Sequence, residues 1–208
     1  MGQAQVIAVC LGKKGAATTI QSALAMGADR GILVTTDRPP DSLLTARALK
    51  AAIAQDGRPD IIFTGKESID SEGFQTMFRL AAALDMPAAS GVAVFALEQG
   101  RVMVECELEA GARAVIEMPL PCVVGCGKAL NKPRYPTLPA IIKARKKELK
   151  QIELESLKIE KPAAGIEILE LQPAVEKRHP REVQGTPQEI AGELVRILKE
   201  EAKVINGR

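Results

Sequence analysis

The sequence predicts an α/β protein: a doubly wound, mostly parallel sheet with an antiparallel extension, followed by a C-terminal arm and a terminal helix. Three observations carry that expectation. Short, continuous apolar runs alternate with helical periods up to Pro87, the pattern of a parallel sheet covered by helices on both faces. Beyond Pro87 the apolar runs are separated by connections as short as Gln99-Gly100 and by Gly111, which suit antiparallel hairpins. From Glu148 to Arg181 helical periodicity is weak and Pro162, Pro173 and Pro180 interrupt the chain, before an amphipathic run closes it.

The elements follow in order. Gln5–Val9 is an apolar run between polar Gln3 and Gly12, hence a buried strand. Ala17–Met26 carries Ile20, Ala23 and Leu24 at helical spacing and is stopped by Gly27. Gly31–Thr35 is the second strand. Leu43–Ala54 is a helix with Asp41 or Ser42 as N-cap, ended by Gly57 and Pro59. Asp60–Thr64 is the third strand and Gly73–Leu84 the third helix. Right-handed crossovers make these units doubly wound. Ser90–Leu97, Arg101–Leu108, Arg113–Glu117 and Cys122–Gly125 form the antiparallel extension, and Val102, Val104, Cys106 and Leu108 alternate with polar residues as in a half-buried strand.

A Pro-rich loop then leads to a short helix at Ala140–Lys147, with Pro139 in its first turn. Thr186–Val204 is the terminal helix: Thr186 is the N-cap, Pro187 opens it, and Glu189 completes a capping box. Its apolar face is Ile190, Leu194, Ile197, Leu198 and Ala202. Residues 1–147 are expected to be one nucleotide-binding α/β domain that includes the loop 130–147. Residues 148–208 are expected to be an arm and helix that either embrace a partner or fold back on the domain.

Composition narrows the function. Of 208 residues 46% are hydrophobic but only 2% aromatic, so the core must be aliphatic, and base-stacking nucleic-acid modules lack their platforms. A net charge of +2 sets up no global field. The run Lys143–Lys150 nevertheless holds five cations and one Glu, which is a solvated helix end or a docking patch. Cys10, Cys106, Cys122 and Cys126 form no disulfide framework, and Cys122 and Cys126, spaced C-x3-C, have no second pair. With His179 the only histidine, a zinc site and a Ser-His-Asp arrangement are not expected. No run reaches the roughly 20 apolar residues of a membrane span, and the start is not a secretory signal, so a cytoplasmic protein is expected.

The chemistry is concentrated after the third strand, in Gly65, Lys66, Glu67, Ser68, Ile69, Asp70, Ser71, Glu72, Gly73, Phe74, Gln75 and Thr76. This stretch sits at the carboxyl end of a parallel strand, where open α/β sheets bind ligands, and enters a helix N-terminus, which favours a phosphate. Gly65 allows close approach of the backbone, Lys66 adds a cation, and Ser68, Ser71 and Thr76 add hydroxyls. It is not a Walker loop, and Cys10–Gly15 is not a G-x-G-x-x-G turn. Read from the residues alone, the stretch is a nucleotide cradle or simply a well-capped βα turn.

Three strings resemble the β subunit of electron-transfer flavoproteins: Ser22–Val34 (SALAMGADRGILV), Thr64–Thr76 (TGKESIDSEGFQT, similar to the family's G-K-x-x-I-D-x-x-x-x-Q-T), and Leu130–Lys147 (LNKPRYPTLPAIIKARKK, similar to L-N-x-P-R-Y-x-T-L-P). The resemblance implies an adenine-nucleotide α-hydrolase-like fold and an electron carrier without its own catalytic residues. It implies a structural AMP held by Gly65–Thr76 with Cys10. It also implies a heterodimer with an α subunit that carries most of the FAD site, so that FAD is shared between the two.

The loop 130–147 then corresponds to the recognition loop for flavin dehydrogenases. Asn131, Pro133, Arg134, Tyr135, Thr137, Leu138, Pro139, Ile141 and Lys143 are its partner-binding residues, and Leu138 is the anchor, flanked by Lys143, Arg145, Lys146 and Lys147. The C-terminal arm would wrap the α subunit. The family pattern has a further strand, loop and helix ahead of the strand at Gln5, a unit that contributes AMP and FAD contacts; either the true start lies upstream or this is a shortened member. The loop departs from the family string at Glu67, Glu72, Gly73 and Phe74. Two other readings are a bifurcating flavoprotein subunit with FAD in the AMP site, and a free-standing adenine-nucleotide-binding regulator.

Overall fold

In a computed structural model the structure describes residues 4–37, 40–68, 72–159, 169–173 and 181–204. The chain divides into two compact units, Met1–Gly165 and Ile166–Arg208. The first holds strands β1 (Ile7–Gly12), β2 (Arg30–Thr35), β3 (Ile61–Gly65), β4 (Ala88–Glu98), β5 (Arg101–Glu107), β6 (Arg113–Pro119), β7 (Cys122–Cys126) and β8 (Leu149–Glu153). Its helices are α1 (Ala17–Met26), α2 (Ser42–Ala54), α3 (Thr76–Leu84) and α4 (Leu138–Ala144). The second unit holds α5 (Pro187–Arg196).

The strands fall into two hydrogen-bonded sheets. One is fully parallel, in the order β1-β2-β8; the other is mixed, in the order β3-β7-β4-β5-β6. β2 takes β8 as its second neighbour and β3 takes β7, so β1 and β3 each end a sheet.

The expected α/β class holds, and the all-parallel sheet has helices on both faces. On one face Ile32 and Val34 pack against Ala48 and Ala52 of α2; on the other Leu33 packs with Ile20 and Leu24 of α1 and with Ala144 of α4. Small alanines let α2 lie close to its strands, which is how an aromatic-poor core still fills its space. In the mixed sheet Val123 packs with Met77 and Ala81 of α3, while Cys122 and Val124 face the aliphatic cluster of Val92, Val102, Val104, Cys106 and Met118.

Four expectations are corrected. Cys122–Cys126 is not an antiparallel strand: it runs parallel between β3 and β4, and a near-continuous buried apolar strand is what a central parallel position takes. Helix α3 begins at Thr76 and not at Gly73, because Glu72 and Phe74 adopt left-handed backbone with φ of 45° each. Residues Leu149–Glu153, expected in an extended arm, form strand β8 of the first unit. β8 is an edge strand, and its exposed Lys150 and Gln151 conceal an apolar pair, Leu149 and Ile152, that packs on opposite faces. Lys147, expected in a helix, lies beyond the end of α4.

The terminal helix starts as expected. Thr186 and Glu189 form the capping box, with Glu189 Oε2 accepting from the Thr186 N–H at 2.8 Å. After Arg196 the chain continues through Ile197–Glu201 as a wider π turn. His179 lies outside the described residues.

Candidate functional site

The turn from β3 to α3 is built by the mixed sheet. β3 pairs in register with β7, placing Thr64 beside Gly125. A Cβ on Gly125 would lie 2.6 Å from Met77 Sδ and 3.2 Å from Ser90 Cα, so a larger residue here would displace the Met77 side chain of α3 from the sheet. Ile62 packs with Met77 on the same face, and by the two-residue strand period Thr64 faces α3 as well. The Thr64 Oγ1 atom is buried and has no hydrogen-bond partner among the described residues.

Beyond Thr64 the turn opens. Gly65 is exposed, and a Cβ there would meet nothing within 4 Å; the same holds for exposed Gly73. Lys66 lies 5.2 Å from the centroid of the Phe74 ring and 3.5 Å from the carboxylate of Glu67. The Ser68 carbonyl accepts from the Glu72 N–H at 2.9 Å. Phe74 meets Phe78 edge to face at 5.3 Å and packs on the cluster of Met77 and Ala81. Gln75 is the N-cap of α3 but spends its side chain on Arg79, 2.6 Å away, and no side chain caps the helix. Thr76 is half-buried at the first helical position. Among the described residues, therefore, no side chain caps the leading N–H groups of α3, which favours an anion. Ile69, Asp70 and Ser71 lie outside the described residues.

Cys10 is in β1, the other sheet. Its thiol packs among the cluster of Ile20, Leu24 and Ala144 and donates to the Leu11 carbonyl at 3.7 Å. Among the described residues no hydrogen bond or ring contact joins it to the β3–α3 turn. Burial pushes the thiols of Cys10, Cys106, Cys122 and Cys126 up, so they stay protonated at neutral pH.

The second candidate region runs from Leu130 to Lys147. Leu130 packs on the core of the mixed sheet, and Ala144 is buried against α1 and β2. Between these two anchors Asn131, Pro133, Arg134, Tyr135, Thr137, Leu138, Pro139, Ile141 and Lys143 are all exposed. Leu138 is 71% exposed and Tyr135 93%, with Ile141 and Ile142 beside them on α4. Sequence reasoning found these residues but missed their anchors. Lys147, expected with Lys143, Arg145 and Lys146 to flank Leu138, is held elsewhere. Lys147 Nζ instead donates to the carbonyls of Leu24 and Ala28, at the carboxyl end of α1. Arg134 Nη2 lies by Gly27, the residue that ends the same helix. Lys143, Arg145 and Lys146 remain exposed.

Two surface cavities, of about 270 and 400 Å³, lie along α2 and share no residue with either region. Among the described residues no group of three metal-ligating side chains occurs, and no helix is long and apolar enough to cross a membrane.

The family model of the electron transfer flavoprotein domain matches residues 1–157. A mitochondrial electron transfer flavoprotein subunit beta from Arabidopsis thaliana is 35% identical over 202 residues, covering 97% of this chain and 78% of that protein. The subunit beta of Sus scrofa is 35% identical over 205 residues, with 96% and 77% covered. That of Bacillus subtilis (strain 168) is 33% identical over 205 residues, with 96% and 79% covered.

Proposed function

Because this chain belongs to the electron transfer flavoprotein family, among its β subunits, we propose that it pairs with an α subunit and docks flavin dehydrogenases, while holding AMP as a structural nucleotide. FAD, held chiefly by the α subunit, supplies the uptake and release of electrons.

The observation that carries the docking reading is the loop 131–143. It is fixed at Leu130 and Ala144 yet exposes Tyr135, Leu138 and Ile141. Large apolar side chains held out on a tethered segment lose little conformational freedom when a partner pocket covers them. The cations Lys143, Arg145 and Lys146 stand beside them and steer an acidic rim.

The β3–α3 turn fits a phosphate. Its helix start lacks a side-chain cap, Lys66 supplies charge, and Gly65 leaves the strand end bare without a packing reason. Such groups bind and orient a nucleotide; none of them transforms it. The orphaned polar atom Thr64 Oγ1 lies at this turn.

The test is Leu138→Ala in the purified heterodimer. Dehydrogenase-driven reduction should slow about tenfold or more, as for a truncated interface anchor, with bound FAD unchanged. Unchanged rates would remove the docking role, and lost FAD would mean that the loop serves the flavin.

A further inference from the structure

We propose that the hydroxyl of Thr64 is a further binding contact for the nucleotide at the β3–α3 turn; this rests on the reading of that turn as a nucleotide site. Among the described residues Thr64 Oγ1 is the buried side-chain polar atom without a hydrogen-bond partner. Burying a hydroxyl unpaired forfeits its hydration, and valine would fill the same strand position without that loss. No described residue supplies a partner for this hydroxyl, so an occupant of the turn is the source to look for.

Three features place it. Thr64 immediately precedes Gly65, where the strand ends bare. It stands in register with Gly125, whose missing Cβ leaves room for Met77 of α3. Its face of the sheet is the one that α3 covers, and the first turn of α3 carries N–H groups that no side chain caps. A hydroxyl with both a donor and an acceptor to offer thus stands beneath an anion-favouring helix start. An adenine mononucleotide, with phosphate and ribose oxygens of both kinds, satisfies the two together.

The experiment uses the full heterodimer, as wild type, Thr64→Val and Thr64→Ser. AMP affinity is measured by calorimetry on nucleotide-stripped protein, and the thermal midpoint is recorded with and without AMP. Thr64→Val should bind AMP about tenfold more weakly, the loss expected for one hydrogen bond. Its stripped midpoint should equal or exceed that of the wild type. Thr64→Ser should bind within about twofold of the wild type, because it keeps the hydroxyl. Equal AMP affinity in Thr64→Val overturns the proposal. So does a stripped Thr64→Val protein that is destabilised or unfolded, since the hydroxyl would then serve the fold itself. A wild type that binds no adenine nucleotide overturns the reading of the turn, an outcome distinct from both.

Discussion

Lys147 donates to the carbonyl oxygen of Leu24 at 3.0 Å across 123 residues of sequence, and to that of Ala28 at 2.6 Å. A cation at a helix carboxyl end opposes the negative pole of the dipole; here it joins the Gly27 N–H, which reaches the Leu24 carbonyl at 3.3 Å. The contact also fixes the segment after α4 against α1. Lys147 thus belongs to the mounting of the exposed loop and not to its contact surface.

Lys147→Met should therefore destabilise the protein by about 1–2 kcal/mol, since the ammonium is half-buried and charge-assisted. Lys143→Met, at an exposed position, should change stability by less than about 0.5 kcal/mol. Urea denaturation of the two variants separates these roles; equal effects would argue against the cap.

Arg30 and Asp56 form a two-point ion pair at 2.6 Å, with side chains mostly shielded from solvent. Hydrogen bonds from Arg30 hold the Asp56 carboxyl below the ordinary carboxylate range. The stabilisation is therefore complete above the unfolded carboxylate value of about 3.9 and is lost as pH falls through the lower folded value. Asp56→Asn should lower stability at neutral pH by about 1 kcal/mol. It should also flatten the acid limb of the stability profile. An unchanged acid limb in thermal melts between about pH 2 and 5 would contradict the pairing.

Gly65 has room for a methyl group and no left-handed backbone to justify glycine. Gly65→Ala should leave the stability of the nucleotide-stripped protein within about 0.5 kcal/mol of the wild type, or raise it slightly. AMP retention should fall, because on the proposed reading the added methyl stands where the backbone meets the ligand. Undiminished AMP after dialysis would show that the bare strand end is not used.

Thr186 and Glu189 cap the start of α5 reciprocally. Thr186→Ala should cost about 1 kcal/mol of local helix stability. Hydrogen exchange at the first turn of α5 is the direct readout, and unchanged protection there would mean the helix is held by other contacts.

Much of this was legible in the residues. Ala17–Met26 was read to both ends because Gly27 punctuates an unbroken apolar period. Of the two candidate caps of α2, Asp41 and Ser42, it is Asp41 that accepts from the Leu44 N–H, at 2.7 Å. The hairpin from β4 to β5 was marked by Gln99-Gly100, both in left-handed backbone. What stayed hidden depends on distant partners. β8 reads as polar because its pairing with β2 joins residues more than a hundred positions apart, and only Leu149 and Ile152 reach the core. The start of α3 was misread because Phe74 continues the apolar spacing of Met77, Phe78 and Ala81 while its own backbone is left-handed. The Gly65–Thr76 stretch was visible as a motif, but the uncapped helix start and the orphaned Thr64 hydroxyl emerge only from the fold.

The central claim, that the β3–α3 turn holds an adenine mononucleotide beside a flavin-bearing partner, is tested most directly by native mass spectrometry of the complex with its α subunit. The expected result is a one-to-one heterodimer whose mass includes one AMP and one FAD. A heterodimer carrying no AMP, or a second FAD in its place, would contradict the account.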